Sequence, residues 1–378
     1  MSEEILPPPL AGEGQGGGRM RVGVLGATGL AGQQVLAALE GHPWFTVTAV
    51  GASQASAGKT LGDALREPSG ASRWFAEGRL DPSLLSLRCL DDEGLLAQPI
   101  DLVFSAVSKE VALEWEPRFA ARVPVISTAS AFRYEPDVPI LIPGINDAHA
   151  EALHDQRRQR GWRGFIAPIP NCTTTGLAVS LKPLQDAFGV RTVLMTSLQA
   201  ISGAGRQEGV LALDVIDNVI PFIPGEEEKV ERETRKILGP WQEQAPFTVS
   251  CTCTRVNVKD GHLESVFVGM ERPVGAAAAS AAMERFGVDG LKGLPSAPDR
   301  LLRVDPDPFR PQPRRDRDAG DGMTVTVGRV RDEPVLGGVK YVVLSHNTKL
   351  GAGKGAVLLA EWLTREGYID RADGPRPA

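Results

Sequence analysis

A chain of 378 residues is long enough for two or three substantial cores, which excludes a peptide module or a disulfide mini-protein. Apolar residues make up 42 % and charged residues 23 %, and 41 basic against 47 acidic residues leave a formal charge of −6, so nothing in the balance points to nucleic acid or a membrane as partner. Four cysteines, Cys89, Cys172, Cys251 and Cys253, are too few and too scattered for a disulfide framework, no Cys-x-x-Cys pair suggests a metal cage, and a reducing cytoplasm is the expected compartment.

No stretch approaches the ~20 apolar residues that cross a bilayer, and the first residues lack the basic start and apolar run of a secretory signal. Residues 1–19 are rich in Pro, Gly and Glu and are expected to form a disordered tail, with Met20 as a possible functional start; residues 367–378 read as a second flexible tail. From 21 to 25 (RVGVL) a strand is followed by the glycine turn GATGLAG and the helical pattern QQVLAALE. Further strands are expected at 45–50, 101–106 and 123–127. Strands alternating with helical segments predict a parallel α/β sheet of Rossmann type over residues 20–171.

Beyond PIPNC (168–172) the texture changes. A helix is expected over about 173–188, then strands at 193–201, 247–258, 263–270, 323–330 and 339–346, with helices near 205–218 and 226–237. Long alternating strands predict a second, α+β domain over 172–346 with a mostly antiparallel sheet, serving catalysis and dimerisation. An amphipathic helix at 352–366 is expected to pack back on the first domain. The Pro-, Asp- and Arg-rich stretch 295–321 reads as a solvated loop.

A glycine turn between strand and helix lets backbone N–H groups approach a pyrophosphate at the positive end of a helix, although such a turn also serves as a mere tight corner. About 20 residues past it, where NAD sites carry an acid for the ribose hydroxyls, the chain reads GASQASAGK (51–59) without a carboxylate. A 2′-phosphate would meet no repulsion there, and Ser53, Ser56 and Lys59 are available donors, so NADP is expected, with NAD possible. Cys172 precedes TTTG and an apolar-periodic run, which places it at a helix N-terminus where thiolate is favoured over thiol; a free cysteine is also a common inert core residue. His262, in the turn KDGH (259–262), is a candidate acid/base.

These features, with SAGK (56–59), STASAFRYEPDVPILIPGIN (127–146), PNCTTTG (170–176), QAISGAG (199–205), NVIPFIPGEEEKVERETRKIL (218–238) and RVNVKDGH (255–262), resemble the aspartate-semialdehyde dehydrogenases, in particular the branch of archaea and fungi. The resemblance runs from residue 21 to about 366. It implies that Cys172 is the nucleophile, Gln199 helps hold the acyl group and His262 is the acid/base. It further implies that Arg255 clamps the substrate α-carboxylate, that Glu226 receives its ammonium, and that Arg133, Lys229 and Asn171 bind phosphate. On the cofactor side it implies Gly26, Thr28, Gly29, Leu30 and Ala31 around the pyrophosphate, with Ser53, Ser56, Ser105 and Asn347 completing the site. No metal is expected. Homodimers or homotetramers are expected, with aspartyl phosphate, the semialdehyde and phosphate as small-molecule partners. Two departures from the family pattern touch the cofactor: Ala55 stands where an arginine is common, and Asn347-Thr348-Lys349-Leu350-Gly351 replaces an Asn-Thr-x-Arg-Gly pattern. A malonyl-CoA reductase, a Cys–His acyl hydrolase or transferase, and a non-catalytic NADP sensor are the alternatives.

Overall fold

Six short apolar runs, β1 (Met20–Leu25), β2 (Phe45–Gly51), β3 (Cys89–Leu90), β4 (Leu102–Ser105), β5 (Val125–Ser127) and β6 (Ile166–Pro168), form one parallel sheet in the order β3-β2-β1-β4-β5-β6. Neighbouring residues of a strand serve different cores: Phe104, Ile126 and Ala167 join one apolar cluster, while Val103, Val125 and Ile166 join the other. Burial on both faces explains why these strands read as continuous apolar runs. The computed structural model describes residues 18–204, 212–287 and 289–370; of the expected tails, residues 1–17 and 371–378 lie outside it, as do residues 205–211 of the helix expected near 205–218. Strand order reverses between β1 and β4, and ligands of doubly wound sheets bind in the crevice at such a switch point.

The longer helices of this part are α1 (Leu30–Leu39), α2 (Lys109–Ala120) and α3 (Ala152–Arg160). From Cys172 the chain enters α4 (Cys172–Phe188), buried almost throughout, which lies against a second sheet. That sheet comprises β7 (Val190–Gln199), β8 (Val219–Ile220), β9 (Thr248–Val256), β10 (His262–Met270), β11 (Leu302–Asp305), β12 (Val325–Glu333) and β13 (Gly338–Ser345), in the order β11-β12-β13-β10-β7-β9-β8. The β7/β9 and β11/β12 pairs are parallel and the other four antiparallel. Helices α4, α5 (Glu226–Leu238) and α6 (Ala276–Arg285) cover one face. On the opposite face the alternation of β7 leaves Leu194 and Leu198 exposed. The closing helix, α7 (Gly353–Arg365), lies so close to α1 that a Cβ on Gly353 would stand 2.6 Å from the Val35 nitrogen.

Two expectations need correction. The 295–321 stretch is not a solvated loop: it contributes β11 to the sheet, and its charges pair inward on buried Asp316, which accepts from Arg303 (2.9 Å), Arg310 Nε (2.6 Å) and the Gln312 amide (2.7 Å). Composition cannot distinguish charges that face water from charges that satisfy one another. His262, expected in the turn KDGH, instead opens β10 in register with Ser345 and is fully buried.

Candidate active site

Cys172 is the first residue of α4. The Asn171 side chain caps that helix by accepting from the amides of Thr173 (2.8 Å) and Thr174 (3.2 Å), so the sulfur sits at the positive end of a 17-residue helix. Its Sγ lies 3.2 Å from His262 Nε2. The other ring nitrogen, Nδ1, accepts the backbone N–H of Ala200 at 3.1 Å. A nitrogen that accepts carries no proton, so the neutral ring bears its hydrogen on Nε2, aimed at the sulfur. Burial, reinforced by nearby Arg255 and His346, pushes His262 down to about 3. Burial, then the Glu226 charge, pushes the Cys172 thiol up to about 12, against the pull of Arg255, Arg133 and the Thr173 amide. Glycine is required around this pair: a Cβ on Gly351 would lie 2.8 Å from Cys172 Cβ, and one on Gly203 would lie 3.0 Å from both His262 Cε1 and Arg255 Nη1.

A cavity of about 480 Å³ opens beside the sulfur, and it is lined by every residue expected to bind substrate and by both Cys172 and Gln199. His262 alone of that set stands behind the thiol. Ile220, Phe222 and Ile223 add an apolar lip. Glu226 is no surface ion pair: it is buried and accepts from Asn171 Nδ2 (2.9 Å), Gln199 Nε2 (3.1 Å) and Thr173 Oγ1 (3.3 Å), with Lys229 Nζ at 3.9 Å. Arg255 is buried on β9, next to Gln199 across the sheet, and donates to the Ala200 carbonyl at 2.7 Å.

Arg133 is also buried and donates to the Thr128 carbonyl (2.9 Å) and to Glu233 (3.0 Å). Glu233 is the residue that sequence reasoning missed. It is fully buried on α5 and accepts from Arg133, the Tyr134 hydroxyl (3.2 Å) and the Asn171 amide (2.6 Å). A signal was present: Glu226, Val230, Glu233 and Ile237 form the buried stripe of α5, and an acid on such a stripe needs a partner.

Across the cleft, Gly26 has φ +80°, and a Cβ there would meet the Ala106 carbonyl at 2.5 Å, so only glycine makes this turn. Gly29 caps α1 without a side-chain acceptor and the first turn holds no acid, which leaves the amides of Leu30 and Ala31 at an uncapped positive end. The Thr28 carbonyl accepts from Gln33, fixing the turn. Ser105 ends β4 in register with Leu25 and Ser127. Ser53 and Ser56 lie in a tight turn after β2, where Ser56 N donates to the Ser53 carbonyl, and exposed Ala55 sits between them. This cradle fits a dinucleotide. Asn347 does not present its amide to it: that side chain accepts from Gly261 N (2.8 Å) and donates to Ser202 (2.8 Å), bracing the loops on either side of His262. Leu350, which stands in place of the family arginine, is buried, and its neighbour Lys349 is bound by Glu77 (2.9 Å), Asp321 (3.2 Å) and Asp318 (3.4 Å).

A parallel dinucleotide-binding sheet that brings Arg133 to the cleft, joined to a mixed-sheet domain that brings Lys229, Arg255 and a thiol backed by an imidazole, defines a class: dehydrogenases that hold an acyl group on sulfur. Comparison with known proteins makes this specific. The semialdehyde dehydrogenase NAD binding domain matches residues 21–153, and the semialdehyde dehydrogenase dimerisation domain matches residues 181–350. An aspartate-semialdehyde dehydrogenase of Archaeoglobus fulgidus is 44 % identical, covering 93 % of this chain and 100 % of the relative, and one of Methanothermobacter thermautotrophicus is 40 % identical, covering 90 % and 98 %. The crystal structure of the Candida albicans aspartate-semialdehyde dehydrogenase with NADP superposes with a TM-score of 0.82 at 37 % identity, covering 93 % of this chain and 100 % of that one. The chain belongs to the aspartate-semialdehyde dehydrogenase family.

Proposed function

We propose that the chain catalyses the reversible, NADP-dependent reductive dephosphorylation of L-4-aspartyl phosphate to L-aspartate 4-semialdehyde, a step toward lysine, threonine and methionine. The observation that carries this reading is the convergence of Arg133, Lys229, Arg255 and Glu226 on the cavity at Cys172. The substrate has two anionic ends and one ammonium, and the cavity offers cations and one acid to match. The glycine turn and the carboxylate-free 51–59 loop support NADP as cofactor.

In the biosynthetic direction the Cys172 thiol gives its proton to the departing phosphate as the sulfur attacks the acyl carbon; the C–S bond forms, the C–O bond to phosphate breaks, and hydrogen phosphate leaves with the bonding pair toward Arg133, Lys229 and Asn171. Gln199 and the helix N-terminus hold the thioester. Bound NADPH supplies the hydride in this direction. His262 then donates an Nε2–H hydrogen bond to the alkoxide, and cleavage of the C–S bond returns the aldehyde and a thiolate that takes up a proton from solvent to restore the thiol. No proton has to leave the ring, because the proton consumed overall ends on the released phosphate. This narrows the acid/base role expected for His262: with Nδ1 accepting from Ala200, the ring works as a hydrogen-bond donor. Arg255 and Glu226 orient the α-carboxylate and ammonium. Homodimers or homotetramers and a cytoplasmic location complete the reading; among the described residues no helix is long and apolar enough to cross a membrane.

The test is reduction of NADP by L-aspartate 4-semialdehyde, followed by nicotinamide absorbance with and without phosphate, with NAD run in parallel. Phosphate-dependent turnover is expected. Inactivity of folded protein with both cofactors, together with turnover of malonyl-CoA, contradicts the assignment.

A further inference from the structure

We propose that Glu233 is a positioning residue that holds the phosphate clamp at a fixed place relative to the nucleophile; the inference rests on the reaction proposed above. Its two carboxylate oxygens divide the work. Oε1 accepts from Arg133 Nη1 at 3.0 Å and from the Tyr134 hydroxyl at 3.2 Å. Oε2 accepts from the backbone N–H of Asn171, the residue before Cys172, at 2.6 Å. One fully buried side chain thus ties the segment after β5, which carries Arg133, to the turn that opens α4.

The same helix grips that segment a second time. One turn beyond Glu233, the Lys236 ammonium donates to the carbonyls of Arg133 (2.7 Å), Val138 (2.8 Å) and Glu135 (3.1 Å). Arg133 is held on its other edge by the Thr128 carbonyl, and its Nε has no partner among the described residues. A planar guanidinium anchored at two corners presents its remaining N–H groups in one orientation, and this is what recognition of a tetrahedral anion requires. Glu233 lies behind the arginine and does not line the cavity, so it acts through Arg133.

Glutamine at 233 keeps one acceptor, which suffices for the Asn171 amide, but turns an NH₂ toward Arg133 and Tyr134. Acylation and phosphate capture can be read separately. Semialdehyde and NADP without phosphate give a single burst of NADPH, and steady-state turnover then reports the phosphate KM. For Glu233→Gln the burst is expected to stay within about twofold of wild type while the phosphate KM rises about tenfold or more. In an Arg133→Gln background the same change is expected to add nothing. Glu233→Asp, which keeps the charge but is one methylene too short to span both partners, is expected to fall between, and it carries the test where the glutamine variant does not fold. An unchanged phosphate KM in these variants, or an undiminished further loss in the Arg133→Gln background, overturns the proposal. Absence of a burst in the wild type overturns instead the reaction on which it rests.

Discussion

At Cys172 and His262 the ordinary order of ionisation is spread apart: the thiol is pushed up to about 12 and the imidazole down to about 3, so both are neutral at pH 7. Alkylation of Cys172 by iodoacetamide is therefore expected to accelerate steadily with pH through the alkaline range, with no inflection near pH 6.5, and a histidine-like step there contradicts the account. If His262 serves as a donor, His262→Gln, which can still donate, retains more kcat than His262→Leu, for which a loss of about 10²–10³-fold is expected; equal losses would favour proton transfer through the ring. Glu264, one turn of the pleat beyond His262, carries the opposite signature. Among the described residues neither of its buried oxygens has a hydrogen-bond partner, and burial raises its carboxyl well above the usual range. The fold therefore keeps its proton while the unfolded chain releases it above about pH 4.5, so stability is lost as pH rises. Glu264→Gln is expected to raise unfolding stability by on the order of 2 kcal/mol at pH 8 and by less as pH falls toward 4.5, as read by denaturant melts. The lowered His262 works the other way, costing stability as pH falls from 6.5 toward 3. Cys172, Arg255 and Glu226 were singled out in the sequence by motifs that resemble those of the family, and the fold brings all three to one cavity. Glu233 and Glu264 were not, since their significance lies in what a distant segment brings, or fails to bring, to a buried carboxylate.

Among the elements, α4 and the loop before α7 meet at the nucleophile. Gly351 has no room for a methyl group beside Cys172, whose Cα and Cβ would stand 3.0 and 2.8 Å from it. Gly351→Ala is expected to displace the sulfur and lower kcat about 10²-fold with little change in cofactor binding, measurable by NADPH fluorescence alongside turnover. Most elements could be read from periodicity: strands such as 45–50 and 263–270, and the helix beginning near Cys172, reappear within a residue or two. The 295–321 stretch could not, because β11 has only four residues and its pairing with β12 is a tertiary fact. The position of His262 was misjudged for a similar reason. Its KDGH segment has turn composition, yet strand pairing begins at the histidine itself.

For the whole molecule, residues 181–350 match a dimerisation domain, and the open face of the second sheet, which lies within them, is the surface on which an assembly is expected to form. Leu194 and Leu198 stand exposed on β7, beside Phe267 on β10, the middle strand of the sheet. Leu194→Lys combined with Leu198→Lys is expected to shift sedimentation from an assembly toward the monomer; an unchanged assembly places the interface elsewhere. The two-domain architecture was accessible from the change of strand texture at PIPNC, whereas the sheet order and the depth at which the cleft buries its charges depend on contacts far apart in the chain.

A covalent acyl group at one sulfur is the centre of the proposed reaction. The most direct measurement is mass spectrometry of the protein after mixing with L-aspartate 4-semialdehyde and NADP in the absence of phosphate. The expected result is one aspartyl adduct per chain, on the peptide containing Cys172, discharged when phosphate is added. Turnover without any adduct, or an adduct that persists in Cys172→Ala, would contradict it.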